Sequence, residues 1–371
     1  METAAKGLSP LEYTTMLVTA IVGNIMFVWP HHVVSAAGEN ALGSIVVLIA
    51  ALMLSGLLHH HAVWRATRHR LTRCLLTSAA GLSLTLVVGV DLALLALLLQ
   101  LMGTLFYADT PRWALLLPLL GIMIWGAGIR LDALGRLTQL WVPLGGTMLA
   151  FVSAVALIHA THLRPLWPQN WYLTPMGHGI ANMAHLMLPV GPAVVVLAPR
   201  VNAARHIVRR AFLVAAGTIS VMLLTIYALV MMMLGPNAIV QLHWPLVYSL
   251  ETITLDSTFF ISRMGLAVIF LWTAVVVLSF ATHLRLIMQW LLPRRATPPI
   301  WGIGGLGLLY SLAVVAFPTP SSATRWILHT LDPIALGYLI LQHGLLAVWL
   351  GIDSLAQRRR QRTRTIAPIQ E

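Results

Sequence analysis

The sequence has little charge and almost no cysteine. Charged side chains make up 9% of its 371 residues, whereas a soluble domain carries about 25%. The single cysteine, Cys74, excludes an intramolecular disulfide and a cysteine-based zinc site. Because 58% of the residues are hydrophobic, the composition predicts an all-α polytopic membrane protein that forms one membrane domain over residues 1–371.

Several kinds of functional site are also missing from the sequence. It has no nucleotide-binding motif, no soluble catalytic domain and no apparent nucleophile–base pair, so we expect no enzyme activity, no cofactor and no bound metal. The net charge of +12 could suggest nucleic acid, but the arginines fall in short clusters between apolar segments. That distribution is typical of membrane proteins, so the expected partner is the lipid bilayer and not nucleic acid.

Apolar length and flanking charge predict ten transmembrane helices. They lie near residues 13–36, 41–58, 80–106, 113–129, 137–160, 177–199, 211–234, 264–284, 300–317 and 334–352. Ten spans divide into two sets of five, and because five is odd the second set is inverted in the membrane. The predicted boundaries are about 10–160 for the first inverted repeat, 175–330 for the second, 332–354 for the final helix and 355–371 for a basic cytoplasmic tail.

The distribution of lysine and arginine predicts the orientation of these spans. With both termini in the cytoplasm, 19 of the 23 basic residues lie on the inner side. The four on the outer side are Arg112, Arg164, Arg263 and Arg325. A missed or added span would destroy this asymmetry, so the charges support ten spans with cytoplasmic N- and C-termini.

The first and sixth spans each contain residues that disfavour a continuous helix. Gly23-Asn24 lies in the middle of the first, and Leu188-Pro189-Val190-Gly191-Pro192 lies in the sixth; the other eight spans are predicted to be regular. Backbone groups left unpaired within a membrane are tolerated only where protein or a watery cavity surrounds them, so paired breaks indicate a transporter-type binding site. A plain kink in each helix is the alternative.

A site at these breaks suits a small polar or zwitterionic ligand. An outer half-helix that starts near Asn24 would bind a carboxylate at its positive end, and carbonyl groups of Ile21, Val22 and the Met187-Leu188 segment would accept from an ammonium group. Pro192 is predicted at the first position of the half-helix after the sixth break. The predicted ligand-binding residues are Val22, Gly23, Asn24, Ile25, His185, Met187, Leu188, Pro189 and Gly191.

Three polar residues in apolar spans are candidates for proton or ion coupling. Asp91 is the only charged residue from Ala79 through Leu99, and ionisable groups inside a membrane are usually functional. It either relays protons or is a protonated carboxyl group bonded to a neighbouring Ser or Thr. Ser279 and Thr282 of the eighth span could supply hydroxyl groups to an ion beside the first break, and packing between helices is the alternative.

The sequence has 15 histidines, which raises the question of metal binding. His31-His32 lies at the outer end of the first span and His59-His60-His61 at the inner end of the second, without a carboxylate or cysteine at ligand spacing. We therefore expect these side chains to be solvated at the membrane interface. His185 precedes the sixth break, where it either lines the cavity or packs as a neutral side chain.

Short motifs follow one another along almost the whole chain. They are Val22-Gly23 with Trp29-Pro30, Ala37-Gly38-Glu39-Asn40, Thr110-Pro111 with Trp113, the segment Gly128–Arg136, Leu166-Trp167-Pro168, Leu197-Ala198-Pro199, Trp244-Pro245 and the segment Arg263–Trp272. In order and spacing the chain resembles the endospore germination permease family, the B-type membrane subunits of nutrient germinant receptors. The resemblance implies the amino acid–polyamine–organocation superfamily and its LeuT-like fold of two inverted five-helix repeats.

The resemblance also implies a function. The chain would be a germinant-receptor subunit of the spore inner membrane or the cell membrane that binds an amino acid or similar germinant and works with A- and C-type partner subunits. The residues alone leave two other functions open. One is proton-coupled amino-acid transport with Asp91 in the proton path, and the other is a scaffold subunit that binds no small molecule.

Overall fold

The computed structural model describes residues 7–23, 29–66, 70–105, 107, 109–158, 167, 171–251, 264–293, 295 and 297–366. Within them the chain forms fourteen α-helices: α1 (Pro10–Val22), α2 (Trp29–Ala37), α3 (Ala41–Ala66), α4 (Arg70–Leu105), α5 (Arg112–Gly128), α6 (Leu131–Ile158), α7 (Leu173–Ala181), α8 (Val190–Leu197), α9 (Arg205–Gln241), α10 (Pro245–Glu251), α11 (Met264–Leu291), α12 (Ile300–Ala316), α13 (Pro320–Trp326) and α14 (Asp332–Ile366). Short 3-10 segments cover Gly38–Asn40, Ala184–Met187 and Ala198–Arg200, and a π-helical turn covers Ile327–Leu331.

Six helical segments among the described residues are long and apolar enough to cross a membrane. They are Trp29–Ala66, Thr72–Leu105, Leu131–Ile158, Arg205–Gln241, Val268–Leu291 and Pro320–Leu355. A bent pair, Leu173–Ala181 with Ala184–Arg200, makes a seventh, and three shorter apolar helices are Pro10–Val22, Arg112–Gly128 and Trp301–Ala316. The chain is therefore an all-helical integral membrane protein. Each of the ten predicted spans overlaps at least one of these segments. Only six of the segments, or seven with the bent pair, are long enough to cross a membrane.

The start of α1 is fixed both by its own sequence and by a distant segment. Ser9 accepts a hydrogen bond from the Glu12 backbone N–H at 3.1 Å, and Glu12 accepts one from the Ser9 backbone N–H at 2.7 Å, which is a capping box. The backbone N–H of Leu8 donates to the Arg200 carbonyl, and Asn202 donates back to Leu8, each at 2.9 Å. The N-terminal end of α1 is thereby joined to the end of the broken sixth span.

Helix α11 lies in the centre of the molecule. In its most apolar stretch, 83% of the residues are buried inside the protein, whereas the corresponding value for α6 is 17%. Helix α11 packs on α1, α4, α5 and α6. Arg285, counted above among the inner-side charges, is a fully buried residue of α11 that donates to the Ala127 carbonyl at 3.4 Å. Helix α11 continues to Leu291, past residue 284, where the eighth span was predicted to end. Arg285 therefore lies within the helix and not in a loop after it.

Irregular turns lie just outside two of the predicted spans. Helix α9 is interrupted at Gly235, which has φ of 69° and ψ of 166° and is followed by Pro236. Only glycine adopts this conformation without strain, and a proline cannot donate the helical hydrogen bond. Helix α13 passes through the π-helical turn before α14 starts at Asp332. Gly235 directly follows the predicted span 211–234, and the π-helical turn precedes the predicted span 334–352, so both predicted ranges are themselves helical.

Candidate functional site

Helix α1, the first half of the first predicted span, ends beside α11. Helix α1 finishes at Val22, and the Gly23 N–H donates back to the carbonyls of Thr19 and Ile21. The carbonyl oxygen of Ala20 lies 2.7 Å from Nε2 of His283 and 3.5 Å from the hydroxyl of Ser279. The end of α1 is therefore bonded to two side chains of α11, four residues and one helical turn apart.

Gly23 is required at this contact for space and not for its backbone conformation. Its φ of −61° and ψ of −30° are ordinary helical values, although the sequence suggested glycine for its flexibility. A Cβ atom on Gly23 would lie 1.9 Å from the Cβ and 2.1 Å from the Oγ of Ser279. The structure thus brings Gly23 and Ser279 together, as the prediction of hydroxyl groups beside the first break requires.

Asp91 lies in a buried cluster that continues from this contact. Its two carboxyl oxygens are each 3.0 Å from Nδ1 of His283, and Tyr310 donates a hydrogen bond to Oδ2 at 2.5 Å. All three side chains are fully buried. Helices α4, α11 and α12 each supply one of them. Among the residues that the structure describes, Asp91 is therefore bonded to a histidine and a tyrosine and to no Ser or Thr.

The hydrogen-bonding pattern restricts where protons can reside in this cluster. The Ala20 carbonyl can only accept, so Nε2 of His283 carries a proton. Nδ1 then either donates to an ionised Asp91 or accepts from a protonated one, and one proton lies between the two groups in both cases. Removing it would place a nitrogen lone pair against a carboxylate in a buried environment. His283 therefore bridges the Asp91 carboxyl group and the carbonyl group at the end of α1.

The break in the sixth span lies against α4 and the start of α14. Helix α7 ends at Ala181, and the segments on either side of the break meet at 60°. The carboxyl oxygen Oδ1 of Asp332 accepts from the backbone N–H of His185 at 2.9 Å and lies 2.8 Å from its Nδ1. The Leu188 carbonyl accepts from the Ser83 hydroxyl at 2.7 Å. His185 is thus buried against a carboxylate.

The other predicted site residues have varied positions. Asn24 and Ile25 lie outside the described residues. The Thr282 hydroxyl donates to the Leu278 carbonyl of its own helix at 2.8 Å, so the described structure gives it no contact with the break. Pro189 is the N-cap of α8, and Pro192 is its third residue, not its first. Val22, Met187 and Gly191 are buried, and a Cβ on Gly191 would lie 2.8 Å from Nε2 of His59.

The expectation that the paired histidines are solvated was wrong for three of them. His32, His59 and His60 are 1–2% exposed. His59 donates through Nδ1 to the Ser55 carbonyl at 2.8 Å, and Nε2 of His60 lies 2.9 Å from the hydroxyl of Tyr13. Position in the sequence gives the depth of a residue in the membrane, but not whether its face of the helix meets lipid or protein.

Three residues of these clusters were missed by sequence reasoning. His283 lies four residues after Ser279, so both face the same neighbour on a helix, and this spacing was a usable signal. Asp332 lies at the predicted start of the final helix, and its carboxyl group was not considered as part of a site. Tyr310 carries no local signal, because an aromatic residue in an apolar span is usually part of the core.

Space beside the end of α1 is apolar. A cavity of about 20 Å³ is large enough for roughly one water molecule. Its lining includes Val18 and Val22 of α1 and Trp272 and Val275 of α11. Apart from the indole of Trp272, its lining side chains are apolar.

Solved structures with the same fold include a manganese transporter of Eremococcus coleocola. A mutant form of that protein matches with a TM-score of 0.56 and 15% identity over 91% of this chain and 78% of that chain. Its complex with an aromatic bis-isothiourea substituted compound matches with a TM-score of 0.53 and 13% identity over 94% and 82%. At such identities the likeness establishes a transporter fold and leaves the ligand open.

The sequence comparisons give one positive result. No curated protein matches this chain. A family model described as spore germination protein, or spore permease, matches residues 7–291. This range is more than half of the chain and includes α1, the broken sixth span and α11. Of the two buried clusters it contains Asp91, His283 and His185, while Tyr310 and Asp332 lie beyond it.

Proposed function

Since this chain belongs to the spore germination protein family, we propose that it is the B-type subunit of a nutrient germinant receptor. The membership confirms the resemblance found in the motifs, and with the transporter fold it makes the chain a membrane permease with a germination-related role. In the proposal, a small germinant such as an amino acid binds between the first and sixth spans and triggers germination.

The observation that carries the proposal is the break in the sixth span next to the end of α1. Helix α8, which follows this break, packs against α1, which ends at Val22. One buried polar cluster, formed by Asp91, His283 and Tyr310, is bonded to the end of α1. A second, formed by His185 and Asp332, lies at the break in the sixth span. The proposed binding residues are those of the two breaks: Val22, Gly23, Asn24, Ile25, His185, Met187, Leu188, Pro189 and Gly191.

The remaining parts of the proposal concern architecture and partners. We infer ten spans with both termini in the cytoplasm, arranged as two inverted repeats, and A- and C-type subunits that read the state of this one. A germinant can signal only if it binds one of two conformations more tightly. The joined inner ends of α1 and the sixth span are elements that such a change would move together.

The proposal predicts that an amino acid stabilises the purified protein. A ligand that binds only the folded state contributes about 2.7 kcal/mol at a concentration 100 times its Kd, so the melting temperature should rise with the logarithm of the ligand concentration. The measurement is a thermal-shift titration in detergent with L-amino acids and nucleosides. D-amino acids at equal concentration are the control. A blank result on monodisperse, folded protein would contradict binding and support the scaffold function.

Proton-coupled amino-acid transport is the second candidate function. The observation that favours it is the buried cluster of Asp91, His283 and Tyr310, in which one proton is shared next to the end of α1. A proton site bonded to the end of a half-helix can couple protonation to a movement of that helix. Such coupling is required in a proton-driven carrier and is not required in a receptor.

The carrier function predicts proton-driven uptake that depends on Asp91. Proteoliposomes with an acidic exterior should accumulate labelled amino acids, and Asp91→Asn should abolish this accumulation because an amide cannot exchange the proton. Asp353→Asn, which removes a carboxylate bonded to Arg65 near the inner end of α14, is the matched control and should transport normally. Binding without flux in the unaltered protein would instead exclude the carrier function.

A further inference from the structure

We propose that Asp332, together with His185 and His32, binds the ammonium group of the ligand. This inference rests on the proposed function and gives the ligand a chemical class, a primary amine such as an amino acid. The three residues come from α14, the break in the sixth span and α2, and each of them is 1–2% exposed.

Asp332 has one carboxyl oxygen in use and one without a partner. Oδ1 receives the backbone N–H of His185 and contacts its Nδ1. Oδ2 is buried and makes no hydrogen bond to any residue that the structure describes. A buried carboxylate oxygen without a donor is destabilising. A positively charged donor from outside the described chain would supply what is missing.

His32, whose ring lies near that of His185, also has buried polar atoms without a hydrogen-bond partner among the described residues. Neither Nδ1 nor Nε2 of its ring has a hydrogen-bond partner among the described residues. Its ring centroid lies 6.5 Å from that of His185, with the two planes at 72°. Unsatisfied polar atoms of two elements, α2 and α14, are thus gathered around the histidine at the sixth break. Buried polar atoms of this kind require an explanation, and an absent ligand is one.

The chemistry of these atoms favours an ammonium group. A carboxylate oxygen and the lone pair of a neutral imidazole both accept hydrogen bonds, and an ammonium group offers three donors with a positive charge. Of the backbone carbonyls that were predicted to bind it, Leu188 already accepts from the Ser83 hydroxyl and Ile21 from the Gly23 N–H. Oδ2 of Asp332 has no such partner among the described residues.

A metal ion fits the same residues less well. A transition metal needs its ligand atoms about 2.0–2.2 Å away, whereas hydrogen bonds from an ammonium group reach about 2.7–2.9 Å. No group of three His, Cys, Asp or Glu residues in the described part of the chain can hold a metal ion.

A row of imidazole rings leads from the surface to this site. His243 is exposed, and its ring centroid lies 6.4 Å from that of His31, which in turn lies 6.0 Å from that of His32. Nδ1 of His31 lies 3.1 Å from the Ile239 carbonyl. The three imidazole rings thus form a continuous row from the exposed His243 to the buried His32.

The experiment compares free and N-acetylated amino acids as ligands. Thermal-shift titrations use a pool of twenty L-amino acids and a pool of their N-acetyl derivatives, with MnCl2 as a third probe. We expect the free pool to stabilise the wild type and the acetylated pool to have no effect. Asp332→Asn should raise the half-maximal concentration at least ~10-fold, since a charged hydrogen bond is lost. His32→Phe, which keeps the ring and removes both nitrogens, should raise it ~3- to 10-fold.

The controls separate this inference from the proposed function. Asp353→Asn should leave the half-maximal concentration unchanged. Wild-type protein that responds to no amine contradicts the proposed function and this site with it. A wild-type response that persists in both Asp332→Asn and His32→Phe overturns the site alone, as does equal binding of the acetylated pool or stabilisation by MnCl2 only. Because His32 bonds to no described residue, His32→Phe tests the site even if Asp332→Asn fails to fold.

Discussion

Replacing Asp91 by alanine is expected to lower the free energy of unfolding by ~3–5 kcal/mol, the usual range when one partner of a buried charged pair is removed. The change leaves Nδ1 of His283 and the hydroxyl of Tyr310 without their acceptor in a fully buried site. It also leaves a cavity where the carboxyl group was. The measurement is unfolding of the purified protein by SDS titration in mixed micelles.

An exposed aspartate provides the control for Asp91→Ala. Asp109 lies on the surface in a turn, and Asp109→Ala should change the stability by no more than about 0.5 kcal/mol. Tyr310→Phe removes one hydrogen bond to the same carboxyl group and should be destabilising by ~1–2 kcal/mol. If Asp91→Ala were as mild as the surface variant, the cluster would contribute nothing to stability, contrary to our interpretation.

Replacing Gly23 by alanine is expected to break the contact between α1 and α11. The added Cβ would lie 1.9 Å from the Cβ of Ser279, so one helix has to move. Overpacking of this kind lowers stability by ~1–3 kcal/mol. Spores with Gly23→Ala should lose their response to the germinant as well, because the displaced end of α1 belongs to the proposed binding site. Unfolding in mixed micelles and the loss of spore refractility measure the two effects.

A second substitution should restore the contact. In Gly23→Ala with Ser279→Gly, the nearest remaining atom is the Cα of residue 279 at 3.4 Å, an ordinary contact distance. We expect the double variant to be at least ~1 kcal/mol more stable than the sum of the single effects, as for directly coupled residues. Gly146→Ala is the control, since its Cβ meets nothing within 4 Å. Additive effects of the two substitutions would contradict the packing at this position.

An interruption of the sixth span could be predicted from local chemistry, but not its position. Pro189 and Pro192 cannot donate helical hydrogen bonds, whereas the 60° bend lies earlier, between Ala181 and Ala184, and the two prolines belong to the start of α8. Gly23, which follows the last residue of α1, was singled out for a reason that differs from the one in the structure. Glycine was expected there for its conformational freedom, whereas its dihedral angles are helical and its missing Cβ admits Ser279. A close approach between distant helices leaves no pattern in either helix.

The partners of the buried polar groups could not be predicted. Asp91 and Tyr310 are 219 residues apart, and His185 and Asp332 are 147 residues apart. Hydropathy gives each residue a depth in the membrane but does not say which helices are neighbours. The histidines show the same limit, since His59 and His60 were expected to be solvated at the membrane interface and yet are buried in the protein.

The sequence by itself determined that this is an all-helical membrane protein of the spore germination family with a broken sixth span, because apolar length, proline and motif order are local properties. Only the tertiary structure decided that His283 joins Asp91 to the end of α1 and that Asp332 joins α14 to the sixth break. Within a bilayer a buried polar group has to find its partner inside the protein. Which partner it finds depends on how the helices pack.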